Sequence, residues 1–422
     1  MGARPATDAA PTTVAAGAAF DVAGLGQVFT PPQVVQAMLG LRRRHGRVLE
    51  PSAGDGAFSR LLPGCVAIEP DPRHAPPGAI VGDFFAYPTA ERFDTIIGNP
   101  PYVRFQDIRA ETRRHLDSEL FDGRSNLYLF FIEKAVRHLP SGGELIFITP
   151  RDFLKATSAV RLNRWLFGQG TITHAIELGD ARIFTGAVPN CLIWRFEKGN
   201  FSRRTRHADL GAAADINQAL IDIPYTERYF TEVNGHLLFT RETFPLHLKD
   251  ICSVRVGAVS GADDIYASPT QGNRQFVCST TAATGATRAM IWQAPGSTPP
   301  HPALLPHKAR LLARRIRRFD ESNWWQWGRG YPESTAPRLY VNGKTRRATP
   351  FFLHACNHFD GSILALFPHN PAADLAALRD ALNAVDWAEL GFVCDGRYLF
   401  TQRSLENAPL PAAFRTFLCT AV

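Results

Sequence analysis

The chain has no apolar run long enough to cross a bilayer as a helix. Its start, Met1 to Phe20, is rich in alanine, threonine and proline and lacks the basic-then-apolar build of a signal peptide, so residues 1–20 are expected to form a disordered tail. No C-x-x-C pair occurs, and the seven cysteines (65, 191, 252, 278, 356, 394, 419) stand singly. An odd, scattered set argues against a disulfide framework and against a zinc site, and predicts reduced thiols in the cytoplasm with no bound metal. The balance of charge is not extreme: a net +7 suits a polyanionic partner without requiring one.

What is present is the composition of an ordinary globular protein, 45% apolar and 20% charged over 422 residues, a length that predicts two or three domains. The most informative stretch is Phe93-Asp94-Thr95-Ile96-Ile97-Gly98-Asn99-Pro100-Pro101-Tyr102. A short apolar run ends at a glycine, as a buried strand does at the edge of a sheet. Pro100 and Pro101 fix φ and remove two backbone donors, leaving a stiff loop rich in carbonyl acceptors. The Asn99 amide oxygen and the Pro100 carbonyl can accept both hydrogens of an exocyclic amino group, while Tyr102 lies flat against the ring that carries it. That suits a nucleobase lifted out of its stack. A Pro-Pro turn with an incidental tyrosine fits the same residues.

The residues before it make a series. Thr30 reads as an N-cap and Pro31 as the first residue of a helix whose N–H groups face a carboxylate. Arg47 to Glu50 reads as a strand entering a glycine loop that runs to Phe58, where backbone can approach a ligand closely. Cys65 to Glu69 is a second strand, ending in an acid 19 positions after Glu50, where a Rossmann-like fold places a ribose-binding carboxylate. Ala79 to Phe85 is a third strand end, whose Asp83 and Phe84 suit an adenine ring.

In that order, these residues resemble the gamma-class (TaqI-type) DNA adenine-N6 methyltransferases of type II restriction–modification systems, closely over about residues 24–200. The Phe29-Thr30-Pro31 segment ahead of the Glu50 to Gly56 loop is the gamma arrangement. The resemblance implies an α/β fold: a Rossmann-like, mostly parallel class I methyltransferase sheet with an antiparallel last strand. It implies that Thr30, Glu50, Ser52, Ala53, Gly54, Asp55 and Gly56 hold the methionine part of S-adenosyl-L-methionine, with Glu69 on the ribose and Asp83 and Phe84 at the adenine. Asn99, Pro100, Pro101 and Tyr102 would hold the target adenine, and Phe184 would stack on it, although Thr185 stands where the family has proline. Asn126 to Val136 looks like the family's next helix, Gly142 to Pro150 its fifth strand, and Cys191 to Phe196 its closing strand.

Polar residues dominate Asn200 to Gly235, which predicts a linker between a methyltransferase domain (21–235) and a second, mixed α+β DNA-recognition domain (236–422). There, Lys308 to Arg347 holds eleven lysines and arginines against three acids, an excess of eight that is larger than the whole chain's +7. Leu311, Leu312, Ile316 and Phe319 at helical spacing predict a helix with a cationic face, followed by Trp324, Trp325 and Trp327. Arg314, Arg315, Arg317, Arg318, Lys344, Arg346 and Arg347 become candidate DNA contacts. A solvated helix above core tryptophans fits the same pattern.

The expectation is therefore a monomeric, nucleoid-associated enzyme of the bacterial cytoplasm that acts on double-stranded DNA, has no membrane partner, and has a restriction endonuclease as a functional rather than physical partner. The length predicts no room for a nuclease domain of its own. Transfer to an RNA adenine or a protein glutamine amide is an alternative, as is a DNA-binding protein on an inactive scaffold; the intact Asn99 to Tyr102 run counts against the last.

Overall fold

The structure, a computed structural model, describes residues 30–117, 119–121, 125–179, 190–331 and 333–419. The tail 1–20, Phe29 and Phe184 lie outside the described residues. Two compact units divide the chain, Met1–Glu227 and Arg228–Val422. The division falls inside the expected linker, but that stretch is not irregular chain: it carries a strand, Arg204–Asp209, and a helical turn, Ile216–Ala219. Thr205 and Ala208 are buried, so enough apolar pattern survives among the polar residues to pair the strand.

The first unit is built on β1 (Val48–Glu50), β2 (Val66–Glu69), β3 (Ile80–Val81), β4 (Thr95–Gly98), β5 (Glu144–Pro150), β6 (Gly170–Glu177), β7 (Cys191–Lys198) and β8 (Arg204–Asp209), in the spatial order β8-β6-β7-β5-β4-β1-β2-β3. Pairing is parallel except at β7, which runs antiparallel to both β5 and β6; β8 continues the sheet in parallel with β6. β1, β4 and β5 are buried throughout or nearly so, the continuous apolar runs of a sheet covered on both faces. Helix α1 (Pro32–Gly40) packs Val34, Val35 and Met38 into a cluster with Ile97, Ile146, Ile148 and Ile193.

A buried ion pair fastens the sheet's lower edge. Arg195 Nε donates to Glu144 at 2.7 Å, and the same carboxylate accepts from Thr95 Oγ1 and from the Arg43 and Arg44 N–H groups, each at 2.9 Å. With these partners the charges are satisfied where a lone charge would cost several kcal/mol, roughly.

Two local readings are corrected. Pro31, not Thr30, stands at the N-cap of α1, with no side-chain cap and Pro32 as first helical residue. The third strand is only Ile80–Val81; Phe84–Ala86 form a single 3-10 turn because Asp83 caps it, accepting from the Phe85 N–H.

The second unit contains an antiparallel sheet in the order Cys252–Val256, Ile363–Pro368, Leu339–Asn342, Phe351–Phe352, with smaller two- and three-stranded sheets and short helices. One of its cores gathers Trp387, Phe351 and Phe400; the other gathers Tyr266, Phe276 and Trp327. This is the mixed α+β composition expected of residues 236–422.

Candidate active site

The strand order reverses at β1: β2 and β3 lie to one side of it, β4 and β5 to the other. Loops leaving the carboxyl ends of β1 and β4 therefore diverge and open a crevice, the usual ligand position in such sheets. A cavity of about 350 Å³ lies there, lined by Thr30, Glu50, Ser52, Ala53, Gly54, Asp55, Glu69, Asp83, Phe84, Asn99 and Pro101, among others. Gly56, Pro100 and Tyr102 are not in its wall. Gly56 shapes the loop from behind: it has φ +86°, its N–H donates to Ala53 O at 2.7 Å, and a Cβ there would stand 2.9 Å from Pro76.

Buried carboxylates set the shape of this wall. Glu69, 3% exposed, accepts from the Gly54 N–H at 2.7 Å and the Asp71 N–H at 3.0 Å, so the acid that ends β2 also holds the glycine loop. Glu50 accepts from the Ser59 N–H at 2.7 Å and the Phe58 N–H at 3.3 Å. Burial nevertheless raises its pKa to about 7, the Ser59 and Phe58 hydrogen bonds only partly opposing it. Asp83 accepts from the Phe85 N–H at 2.8 Å and from Thr112 Oγ1 at 2.5 Å. Phe84 is buried and stacks on Phe131 at 5.2 Å.

Asn99 is held from both sides. Its Nδ2 donates to Thr30 Oγ1 at 3.2 Å, and its Oδ1 accepts from the Tyr102 hydroxyl at 2.8 Å. The Ile148 carbonyl lies 3.1 Å from the same hydroxyl. Burial holds Tyr102 well above the ordinary phenol range, so the hydroxyl remains a donor. Ser52 Oγ donates to the Asn99 carbonyl at 3.1 Å, tying the β1 loop to the β4 loop. Thr30 thus contributes its side chain to Asn99 rather than to a helix cap. The half-exposed Tyr102 ring is edge-on to Tyr128 (80°), with its hydroxyl bonded inward.

Two contributors escaped the sequence reading. Helix α2 (Ala110–Arg113) and the chain before it bring Ile108, Arg109, Glu111 and Thr112 into the wall, and Thr112 bonds Asp83. Four helical residues carry too little periodicity to be noticed. On α3 (Leu127–His138), Lys134 Nζ donates to Phe85 O and Tyr87 O, both at 2.7 Å, and so fixes the turn that presents Asp83 and Phe84. Burial pulls this lysine down to about 8. A single lysine at a helical position carries no pattern; only the fold shows its target.

The basic segment of the second unit differs from its expectation. The helix is only Lys308–Leu312. Arg314 is buried, donating to the carbonyls of Leu311, Ser260, Trp324 and Gln326, with Phe319 3.8 Å from its guanidinium. It organises a core, with four of its five N–H donors taken by carbonyls. Arg317 donates to Gln326 Oε1 at 3.0 Å. Trp324, Trp325 and Trp327 are buried too, which removes them as stacking platforms. Arg315, Arg318, Lys344, Arg346 and Arg347 are exposed and form no ion pair among the described residues.

Residues 81–184 match the model of the Eco57I restriction-modification methylase family. The chain is 36% identical over 200 residues to type II methyltransferase M.TthHB8I of Thermus thermophilus, an alignment covering 42% of this chain and 45% of that protein. It is 31% identical over 193 residues to type II methyltransferase M.HincII of Haemophilus influenzae, covering 42% of this chain and 38% of the relative. The chain thus matches under half the length of each of these relatives.

Proposed function

We propose that this chain is an S-adenosylmethionine-dependent DNA methyltransferase that modifies adenine N6, the modification enzyme of a restriction–modification system. The observation that carries the proposal is Asn99, clamped by Thr30 and Tyr102 at the mouth of an acid-walled cavity at the sheet's switch point. The similarity to type II methyltransferases, and a family-model match that spans Asn99 and Tyr102, support it.

The cavity's chemistry fits the cofactor. Glu50, Asp55, Glu69 and Asp83 suit a cation with ribose hydroxyls and an amino group, and Phe84 lends the wall an apolar ring. S-adenosylmethionine supplies an electrophilic methyl carbon and a leaving group that departs as a neutral thioether. The chain supplies position. Adenine N6 is a poor nucleophile because its lone pair is delocalised into the ring. Acceptance of its two hydrogens by Asn99 Oδ1 and the Pro100 carbonyl favours the pyramidal geometry of the transition state. As the amine takes Asn99 Oδ1, the Tyr102 hydroxyl has Ile148 O as a second acceptor, so no donor is orphaned. Nδ2 on Thr30 fixes which way the amide faces.

The test is direct. Incubation with duplex DNA and methyl-tritiated cofactor, followed by digestion to nucleosides, should place the label in N6-methyladenine. Label in cytosine, in RNA alone or in protein glutamine refutes the assignment.

Glu50 adds a pH signature. A sulfonium favours the ionised carboxylate, and with a pKa near 7 only part of Glu50 is ionised at neutral pH. Cofactor affinity should rise between pH 6 and 8 by up to about tenfold, and Glu50→Gln should flatten the profile. For the protein without cofactor the sign reverses. A carboxyl raised from 4.5 to about 7 contributes stability that is complete below 4.5 and lost as pH rises through 7. Calorimetric titration at three pH values checks the first sign and thermal unfolding the second.

A further inference from the structure

A second cavity, of about 690 Å³, lies in the first unit, against the outer side of α1 and away from the Glu50 and Glu69 loops. Arg43, Arg206, His174, Tyr225 and Asn217 line it, together with apolar side chains such as Ile223. Nothing in methyl transfer uses it.

Its charge is uncompensated. Among the described residues, Asp222 is the one acid in the wall. Neither Arg43 nor Arg206 forms an ion pair among the described residues; Arg43 Nη1 meets only the carbonyls of Gly40 and Arg42. The Arg206 guanidinium lies 4.5 Å from the centre of the Tyr225 ring, which holds it in place while leaving its edge donors available. Both arginines sit near enough to act on His174: burial first, then Arg195, Arg206 and Arg43, lower its pKa to about 4.

His174 adds a buried polar group. It is 8% exposed, and its Nε2 has no hydrogen-bond partner among the described residues. Its Nδ1 lies 3.2 Å from Thr173 Oγ1. That hydroxyl lies 3.3 Å from Arg195 O and accepts from Arg195 Nη1 at 2.6 Å. The one hydroxyl hydrogen can serve Arg195 O or His174 Nδ1, and with either imidazole tautomer Nε2 is left a buried polar atom. A buried polar atom without a partner is costly, and such groups in native proteins call for one.

We propose that this cavity is a second binding site, for a nucleotide: Arg43 and Arg206 take the phosphate, and the planar base lies against Tyr225 and Ile223. The ligand is a phosphate ester carrying a base, and it comes either as a free mononucleotide or as one residue of a single strand.

The experiment uses the full chain saturated with sinefungin, a cofactor analogue that fills the first cavity. AMP and a six-residue single-stranded oligodeoxynucleotide are titrated separately by calorimetry. AMP is expected to bind, and Arg206→Gln and Arg43→Gln are each expected to weaken it about tenfold, the loss of one charge-assisted hydrogen bond. Sinefungin affinity and the unfolding temperature should not move. If the oligonucleotide alone binds, with the same sensitivity to both arginines, the site stands and its source is nucleic acid. If neither probe binds, or if both variants bind as tightly as the parent, the proposal is overturned. The Arg43 side chain is exposed and bonds only within its own turn, so its variant remains informative should Arg206→Gln fold poorly.

Discussion

Asn99→Ala should lower kcat for methyl transfer by at least about 100-fold, the usual cost of removing one positioned hydrogen-bonding group from a reacting centre. Cofactor affinity should stay within about twofold, since the cavity keeps Glu50, Glu69, Asp83 and Phe84, and among the described residues the Asn99 side chain bonds only Thr30 and Tyr102. The size follows from what alanine removes: the acceptor for one amine hydrogen and the tie between the β4 loop and Thr30. Asn99→Asp keeps an acceptor but cannot donate to Thr30, so it should recover part of the rate. Single-turnover transfer measures the first quantity and sinefungin calorimetry the second. Full turnover in the alanine variant removes Asn99 from the chemistry. A large loss of cofactor affinity would make it a wall residue instead.

What could be read beforehand was whatever is written in consecutive residues. β1, β2 and β4 are short apolar runs ending at Glu50, Glu69 and Gly98, and the fold sets those ends around one crevice because parallel strands deliver their carboxyl termini to the same edge. Helix α3 was legible through the family resemblance and is capped by Asn126. Distant partners were not legible. Thr30 looked like a cap, since threonine before proline usually is one. Its hydroxyl instead meets Asn99, 69 residues away. Thr112 and Lys134 reach Asp83 and the Phe85 carbonyl across 29 and 49 residues, and neither has a local signature. In the basic segment, Arg314 and Arg315 are neighbours of equal charge, yet one is buried and the other exposed. Charge is visible in a sequence; the carbonyls that consume it are not.

That difference between adjacent arginines is measurable. Arg314→Met keeps the side chain's bulk but leaves the carbonyls of Leu311, Ser260, Trp324 and Gln326 without their donor. An orphaned buried acceptor costs about 1–3 kcal/mol, and with partial rehydration the whole loss should be about 3 kcal/mol. For a domain of this size that lowers the unfolding temperature by about 6–12 °C. Duplex affinity, measured below that transition, should keep its slope against log salt, because Arg314 is buried and bonded to four carbonyls. Replacing Arg315, Arg318, Arg346 and Arg347 together with glutamine should do the reverse. Exposed, unpaired cations add little to stability, so the unfolding temperature should hold. Every arginine–phosphate pair removed should flatten the salt slope by roughly 0.9, and the four substitutions should remove roughly two to four such pairs. Anisotropy over a salt series and differential scanning calorimetry separate the two variants. A flattened slope in Arg314→Met would mean that the guanidinium leaves its carbonyls to meet DNA. An unchanged slope in the quadruple variant would place the phosphate-binding cations elsewhere on the chain.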